Sequence, residues 1–307
     1  MIKIPPYLKK GDTIGITCPA GYMAAEKAQA CITTLQSWGF DVMVGKTLGS
    51  KSKNYFSGSD EDRMDELQAM LDDENINAIL FGRGGYGMGR IIDGLDFTKF
   101  KKKPKWIIGY SDITVLHAHL YTKIKVASLH APMAAAFNEG PQGSVSENEF
   151  IQSLHNAIKG KKAKYSCAAD PFNKPGKVTG ELVGGNLSLL ANITGTASDI
   201  NTKNKILFLE DIGEQIYSID RMLYQLKRSG KFENLAGLII GGFTDMQNTE
   251  RPFGKTVYEA IADIVAEYNY PVAYSFPVSH GTENYALKIG VQYTLKVGKL
   301  KTLLTEH

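Results

Sequence analysis

The sequence has 307 residues, enough for one large domain or two medium ones, and its 43% hydrophobic and 22% charged composition is ordinary for a globular protein. A formal net charge of +3 and a single basic cluster, Lys101–Lys105, without interleaved aromatic residues argue against nucleic-acid binding. The first residues lack the apolar segment of a signal peptide, and no run reaches the roughly 18 apolar residues that span a bilayer, so we predict a cytoplasmic protein without membrane contact.

The first half of the chain alternates strand-like and helix-like segments. Such alternation predicts right-handed crossovers, and the short apolar strands predict a parallel sheet covered on both faces. Ser59 is placed to cap the second helix, and Gly39 to end the first. The predicted strands are 13–18, 40–44, 76–81, 106–108 and 126–129, and the predicted helices are 24–38, 60–73 and 112–122.

The second half has a mixed pattern. Residues 141–165 form a predicted linker region that overlaps a helical segment at 145–158. We therefore predict an α/β protein with domains at 1–140 and 166–307 on either side of the linker. The predicted strands of the second half are 205–209, 235–241, 286–289 and 291–297, and the predicted helices are 215–228 and 256–268.

A glycine-rich loop, Gly82–Gly87, follows the strand at 76–81 and matches the G-x-G-x-x-G dinucleotide pattern. Two features weaken a dinucleotide interpretation. The loop follows the third predicted strand instead of the first, and no carboxylate ends a strand about 20 residues later to bind a ribose. Glycines also let successive N–H groups surround an anion, such as the oxyanion of an acyl-transfer reaction. The remaining alternative is a tight turn without a ligand.

A second turn, Gly-Tyr-Ser-Asp at 109–112, joins a strand to a helix. A serine at such a turn has the geometry of a nucleophile elbow, and the N–H of Asp112 lies at the helix N-terminus, where it can stabilise negative charge. Ile113 replaces the second glycine of G-x-S-x-G, so the α/β-hydrolase family is not supported. The alternative is that Ser111 or Asp112 caps the helix, which is the commoner use of these residues.

A serine nucleophile needs a base and a carboxylate that orients it. Among six histidines, His130 follows a strand and His280 lies in a glycine-containing loop between strands. An apolar strand ends in Glu210 and Asp211, and either acid could face a ligand crevice, cap a helix or form an ion pair.

Metal-binding patterns are absent from the sequence. Three cysteines lie far apart without a C-x-x-C pair, no H-E-x-x-H occurs, and His117 and His119 would point to different faces of a helix. We therefore predict neither a metal ion nor a cofactor.

Taken together, these motifs and the opening segment Leu8–Gly21 resemble the LD-carboxypeptidase family, which also includes the microcin C immunity peptidases. The motifs occur in the family's order over nearly the whole chain. They are Gly82–Gly87, Gly109–Asp112, Leu182–Leu187, Leu209–Asp211 and Phe276–Gly281.

The resemblance implies a Rossmann-like N-terminal domain that carries the serine, a β-rich α/β C-terminal domain, and an active site in the crevice between them. It implies that Ser111 is the nucleophile, His280 the base and Glu210 its orienter. The implied oxyanion donors are the N–H groups of Asp112 and Gly85. The implied substrate-binding residues are Arg83, Gly84, Tyr86 and Asn186.

The resemblance further implies a cytoplasmic homodimer that removes the terminal D-alanine from a muropeptide tetrapeptide. One alternative is a microcin-immunity peptidase acting on aminoacyl-nucleotide conjugates, which would need an aromatic platform for the base. Trp38 and Trp106 lie in a predicted helix core and a predicted strand, although tyrosines could stack instead. The other alternative is a non-catalytic or nucleotide-binding α/β protein.

Overall fold

The computed structural model describes residues 2–138 and 148–307 and divides the chain into two compact units. The first unit contains Met1–Lys161 together with Tyr285–Lys288, and the second contains Lys162–Asn284 together with Ile289–His307. Residues 285–288 thus belong to the first unit, although the sequence analysis assigned them to the second domain. The part of the predicted linker at 141–147, and the start of its predicted helix, lie outside the described residues.

The described elements alternate in the first half and are strand-rich in the second. The strands are β1 (Thr13–Thr17), β2 (Asp41–Val44), β3 (Ile76–Phe81), β4 (Trp106–Gly109), β5 (Ser128–His130), β6 (Lys164–Ala168), β7 (Gly176–Asn186), β8 (Ile206–Ile212), β9 (Gly237–Thr244), β10 (Val272–Ala273), β11 (Leu287–Ile289), β12 (Gln292–Val297) and β13 (Lys301–Glu306). The helices are α1 (Gln29–Ser37), α2 (Asp60–Asp72), α3 (Met88–Ile91), α4 (Thr98–Lys102), α5 (Thr114–His119), α6 (Glu149–Ile158), α7 (Leu187–Asn192), α8 (Ile216–Arg228) and α9 (Val257–Val265).

The first unit is built on a six-stranded sheet in the order β11-β5-β4-β3-β1-β2. All pairings from β2 to β5 are parallel, as the alternation of strands and helices predicted. Every residue of β4 and all but one of β3 are buried, because helices cover both faces. The carboxyl ends of β3 and β4 therefore bring the glycine loop and the serine turn to the same edge.

The second unit contains a seven-stranded mixed sheet in the order β10-β9-β8-β7-β12-β13-β6. The four strands from β10 to β7 are parallel, and the pairings from β7 through β12 and β13 to β6 are antiparallel. This agrees with the predicted β-rich α/β class. The sequence analysis did not identify β6, β7, β10 or β13. Strand β7 contains four glycines, which lower its apparent strand propensity, and β10 has only two residues.

Local capping follows the sequence closely. Ser59 accepts the Asp62 N–H at 3.0 Å while Asp62 accepts the Ser59 N–H, which completes a capping box at α2. Helix α6 begins at Glu149, because Asn148 caps it. In residues 2–138 and 148–307, no helix is long and apolar enough to cross a membrane.

Candidate active site

Ser111 lies where β4 gives way to a short 3₁₀ turn that leads into α5. Its φ of +62° is unusual for a residue with a side chain, and such strain is characteristic of a nucleophile elbow. The N-cap positions of this turn and of α5 are Tyr110 and Ile113, and neither forms a side-chain capping bond. The positive φ therefore falls one residue inside the turn, at Ser111.

The glycine loop packs directly against the serine turn. A Cβ at Gly84 would lie 2.8 Å from Ser111 Cβ, 2.9 Å from its Oγ and 3.3 Å from the Asp112 nitrogen, closer than side chains pack. Gly85 has a φ of +102°, and the Gly84 carbonyl accepts the Gly21 N–H at 3.1 Å. The loop is therefore shaped to approach Ser111 with its backbone.

The Asp112 side chain links these two turns. It is fully buried, and its Oδ2 accepts the Met88 N–H at 2.7 Å. Burial raises the pKa of Asp112 to about 6, against the opposing effects of hydrogen bonds from Met88 and Gly87 and of the Arg63 charge. The sequence analysis considered the Asp112 N–H as an oxyanion donor and the Asp112 side chain as a helix cap, so the contact with Met88 is an addition.

The other predicted loop residues face outward. Arg83 is exposed and donates to the Tyr22 carbonyl at 3.1 Å. Tyr86 is 52% exposed, and its ring lies 6.0 Å from that of Phe56. Both side chains stand beside the loop whose glycines abut Ser111, and both are accessible to a ligand.

In the second unit, Glu210 and His280 form a close pair. His280 Nδ1 lies 2.5 Å from Glu210 Oε2, and the Glu210 side chain is fully buried. Burial opposes the charged form of His280, but the charge and hydrogen bond of Glu210 outweigh it and raise the pKa of the imidazole. Burial also raises the pKa of Glu210, while His280 acts to lower it.

The neighbouring acid, Asp211, is occupied elsewhere. It accepts the Asn186 amide at 2.9 Å, the Ser188 N–H at 2.9 Å and the Ser188 hydroxyl at 2.6 Å. Asn186 Oδ1 in turn caps α7 through the Leu189 N–H. The two adjacent acids therefore differ in their contacts: Asp211 binds residues at the start of α7, and Glu210 binds His280.

The loop that carries His280 packs closely against two glycines of β9, Gly241 and Gly242. A Cβ at Gly242 would lie 2.6 Å from Ser279 Cβ, and a Cβ at Gly241 would lie 3.2 Å from Glu210 Cβ and against the Val278 carbonyl. Tyr258 donates its hydroxyl to the Gly241 carbonyl at 2.9 Å. Tyr258 is a supporting residue that the sequence analysis missed, since no motif marks it.

Three other histidines, His117, His130 and His155, are buried or stacked on aromatic rings. His117 is fully buried with its Nε2 2.8 Å from the Gly109 carbonyl, and burial lowers its pKa to about 4. His130 is buried at the end of β5 with its ring 5.7 Å from that of Tyr110. His155 stacks on Trp38 at 4.2 Å. The ring of His280, by contrast, is hydrogen-bonded to the buried carboxylate of Glu210.

A strained serine beside backbone donors and a histidine oriented by a buried carboxylate are the components of serine hydrolases. Comparison with known proteins specifies the class. The family models for the LD-carboxypeptidase N-terminal and C-terminal domains match residues 14–131 and 179–295. The chain belongs to the LD-carboxypeptidase family and is a serine-type enzyme of that family.

Individual relatives lie on both branches of the family. A probable murein peptide carboxypeptidase of Bacillus subtilis is 33% identical, over 98% of this chain and 94% of that protein. The murein tetrapeptide carboxypeptidase of Pseudomonas aeruginosa is 28% identical, over 94% of each chain. The microcin C7 self-immunity protein MccF of Escherichia coli is 28% identical, over 98% of this chain and 95% of that protein.

Solved structures give the same two branches. Muramoyltetrapeptide carboxypeptidase from Oxalobacter formigenes matches with a TM-score of 0.86 and 26% identity, over 96% of this chain and 98% of that chain. MccF in complex with aspartyl sulfamoyl adenosine matches with a TM-score of 0.87 and 25% identity, over 100% of this chain and 99% of that chain. The two-unit α/β fold is therefore that of the family.

Proposed function

We propose that this enzyme removes the terminal D-alanine from the L-centre of a diamino acid in muropeptide tetrapeptides during peptidoglycan recycling. Relatives named as murein peptide and murein tetrapeptide carboxypeptidases support the substrate class. The observation that carries the catalytic assignment is the 2.5 Å contact between His280 Nδ1 and buried Glu210. We assign Ser111 as nucleophile, His280 as base and Glu210 as its orienting carboxylate.

Glu210 prepares His280 for general base catalysis. With Nδ1 directed at the carboxylate, Nε2 is the nitrogen assigned to take the serine proton. Imidazolium forms as the serine attacks, and the Glu210 charge stabilises it, consistent with the raised pKa of His280. Because Glu210 is fully buried, water does not screen this interaction as it would at the surface.

The proposed reaction has two halves. Ser111 Oγ bonds to the scissile carbonyl carbon as its proton passes to His280, and the carbonyl oxygen becomes an oxyanion. Collapse of this intermediate breaks the C–N bond, and His280 gives its proton to the departing amine of D-alanine. Water then attacks the acyl-enzyme, giving one proton to His280, which returns it to Ser111 Oγ as the tripeptide acid leaves.

The oxyanion donors in this proposal are the N–H groups of Asp112 and Gly85. The Asp112 nitrogen would lie 3.3 Å from a Cβ on Gly84, so the two backbone segments run side by side next to Ser111. The positive φ of Gly85 turns the loop at this point. Two N–H groups from neighbouring segments are the usual construction of an oxyanion hole.

Arg83 is our candidate for binding the free carboxylate of the terminal D-alanine. Its guanidinium is exposed and has further donors besides the one bound to the Tyr22 carbonyl. Gly84, Tyr86 and Asn186 are proposed to line the substrate site, with Asn186 acting mainly through its contact to Asp211. An Arg83→Ala variant with unchanged kcat/KM on a tetrapeptide would contradict the role of Arg83.

The decisive experiment is mass spectrometry of a muropeptide tetrapeptide after incubation with wild type and with Ser111→Ala. We expect loss of one D-alanine with wild type only. A wild-type enzyme that leaves the tetrapeptide intact would refute the substrate assignment. Equal D-alanine release by Ser111→Ala would refute the nucleophile.

The second candidate function is hydrolysis of an aminoacyl-nucleotide conjugate, as the match to MccF suggests. Trp106 is fully buried, and the half-buried Trp38 stacks one face of its ring on His155. Tyr55 and Tyr86 are 57% and 52% exposed beside the glycine loop and could stack on a base. Release of aspartate from aspartyl sulfamoyl adenosine, with the tetrapeptide left intact, would favour this candidate.

We also propose that the enzyme acts in the cytoplasm as a homodimer, with a small peptide as its only required partner. This part of the proposal rests on the family resemblance. Light scattering during size-exclusion chromatography should give twice the mass of the 307-residue chain. A single-chain mass across micromolar concentrations would contradict the dimer.

A further inference from the structure

We infer that the carboxylate of Asp112 is a positioning group that holds the glycine loop against the serine turn, so that the two proposed oxyanion donors point at the same position. This inference rests on the proposed role of Ser111 and assigns Asp112 a second task through its side chain. All the residues that carry it belong to the first unit.

The carboxylate spans the gap between two segments that are distant in sequence. Asp112 Oδ2 accepts the Met88 N–H at 2.7 Å, across 24 residues of chain. Met88 is the first residue of α3 and directly follows the glycine loop, so this bond fixes the loop's C-terminal end. A buried charge-assisted bond of this kind is strong and directional.

The same end of the loop is held from its other side by Arg63. This guanidinium is fully buried, donates to the Gly87 carbonyl at 3.3 Å and also contacts the Pro19 carbonyl. A Cβ at Gly87 would lie 2.7 Å from Arg63 Nη1, and the φ of Gly87 is +153°. The loop end is therefore enclosed between a cation and an anion.

The charged groups around Asp112 explain how a buried carboxylate is retained. Arg63 is the cation that acts on it, and Arg63 is itself paired with Asp60, which also binds Arg90 at 2.6 Å. The hydrogen bonds from Met88 and Gly87 favour the charged form, and burial opposes it. Asp112 thus belongs to a group of neighbouring charged side chains, with Arg63, Asp60 and Arg90, and is not isolated among apolar ones.

The consequence for catalysis is geometric. The N–H of Asp112 is one proposed oxyanion donor, and the loop that its side chain holds supplies the other. A Cβ on Gly84 would lie 2.8 Å from Ser111 Cβ, so the loop lies closer to the serine than a residue with a side chain would allow. A misplacement of about 1 Å at such a site can reduce the rate about a hundredfold.

The bond can be weakened or removed from either partner. Asp112→Asn keeps the size of the side chain and one acceptor oxygen but removes the charge, which weakens the bond from Met88. Met88→Pro removes the N–H donor, and proline is well accepted at the first position of a helix. Met88→Ala is the matched control, because it shortens the same side chain and keeps the N–H.

The first readout is the rate at which a fluorophosphonate probe labels Ser111, with the serine oxygen displacing fluoride at phosphorus. This reaction uses the oxyanion donors and does not depend on the identity of the peptide substrate. We expect Met88→Pro to label about a hundredfold more slowly than wild type, and Asp112→Asn to label more slowly than wild type by a smaller factor. Met88→Ala should stay close to wild type, and the double variant should be no slower than the slower single variant.

Thermal unfolding and steady-state kinetics distinguish the positioning role of Asp112 from a purely structural one. We expect Asp112→Asn to melt at or above the wild-type temperature at pH 8 and to lower kcat on the tetrapeptide with little change in KM. Labelling of Asp112→Asn and Met88→Pro at the wild-type rate would overturn this inference and leave the proposed serine mechanism intact. If Asp112→Asn does not fold, the comparison of Met88→Pro with Met88→Ala decides. Absence of labelling in wild type would overturn the proposed serine mechanism, and this inference with it.

Discussion

The buried carboxylate of Asp112 should make the first unit less stable as the pH rises. Its pKa is about 6 in the folded chain against an ordinary value of 3.8, because burial disfavours the charged form. Between these two values the folded chain holds a proton that the unfolded chain has lost, so the free energy of unfolding falls as pH increases. At 1.36 kcal/mol per pKa unit, the full loss is about 3 kcal/mol.

Asp112→Asn removes this titration while keeping the shape of the side chain. Relative to wild type, we expect the variant to gain up to about 3 kcal/mol of stability between pH 4 and pH 8, with nearly all of the gain complete by pH 7. The assay is urea unfolding at several pH values followed by tryptophan fluorescence. Trp38 and Trp106 are the only tryptophans and both lie in the first unit, so the signal reports the unit that contains Asp112.

A carboxyl group of opposite behaviour serves as the control. Asp62 is exposed, and hydrogen bonds from Ser59 lower its pKa, so its contribution to stability is present at neutral pH and is lost as pH falls through that pKa. Below about pH 4, Asp62→Asn should therefore lose stability relative to wild type as pH rises, the reverse of the trend for Asp112→Asn, and should change little relative to wild type between about pH 5 and pH 8. A stability difference between wild type and Asp112→Asn that is the same at pH 4 and pH 8 would refute the reasoning.

Two further predictions concern the proposed site. Gly84→Ala should abolish measurable activity, because the new Cβ would lie 2.8 Å from the Cβ of Ser111. Gly89→Ala is the control and should keep the wild-type kcat, because a Cβ on Gly89 would meet no described atom within 4 Å; equal kcat for the two variants would contradict this prediction. Glu210→Gln should lower kcat up to about 10⁴-fold. It should also move the acid limb of the remaining pH–kcat profile to lower pH, because Glu210 raises the pKa of His280 and the imidazole acts as a base only when neutral. An acid limb at the wild-type pH would show that Glu210 does not set the pKa of His280.

The sequence predicted those features that depend on local chemistry. Apolar runs separated by helical segments predicted the parallel sheet of the first unit, and Gly-Tyr-Ser-Asp predicted the turn at Ser111. The placement of β11 beside β5 depends on pairing between segments more than 150 residues apart, which no local pattern encodes. Strand β7 was missed because its glycines, which fit close approaches of neighbouring backbone, lower its apparent strand propensity.

Selection of the site residues shows the same limit. Glu210 and Asp211 are equivalent as sequence, and only long-range contacts separate them: one meets His280 across 70 residues, and the other binds Ser188 across 23. The order of motifs in the family supplied the choice of Glu210 before any contact was known. Nothing local indicated that Asp112 would reach Met88 or that Tyr258 would reach Gly241.

Several locally unfavourable features of the chain lie at proposed site residues, and this bears on how they should be interpreted. Ser111 has a strained backbone, and burial raises the pKa of both Asp112 and Glu210, so burial disfavours the ionised form of each carboxylate. A residue retained only for packing would be replaced by an apolar or amide side chain with a gain in stability. Features that weaken the fold, beside Ser111 in one unit and beside His280 in the other, are those expected where geometry is maintained for a reaction.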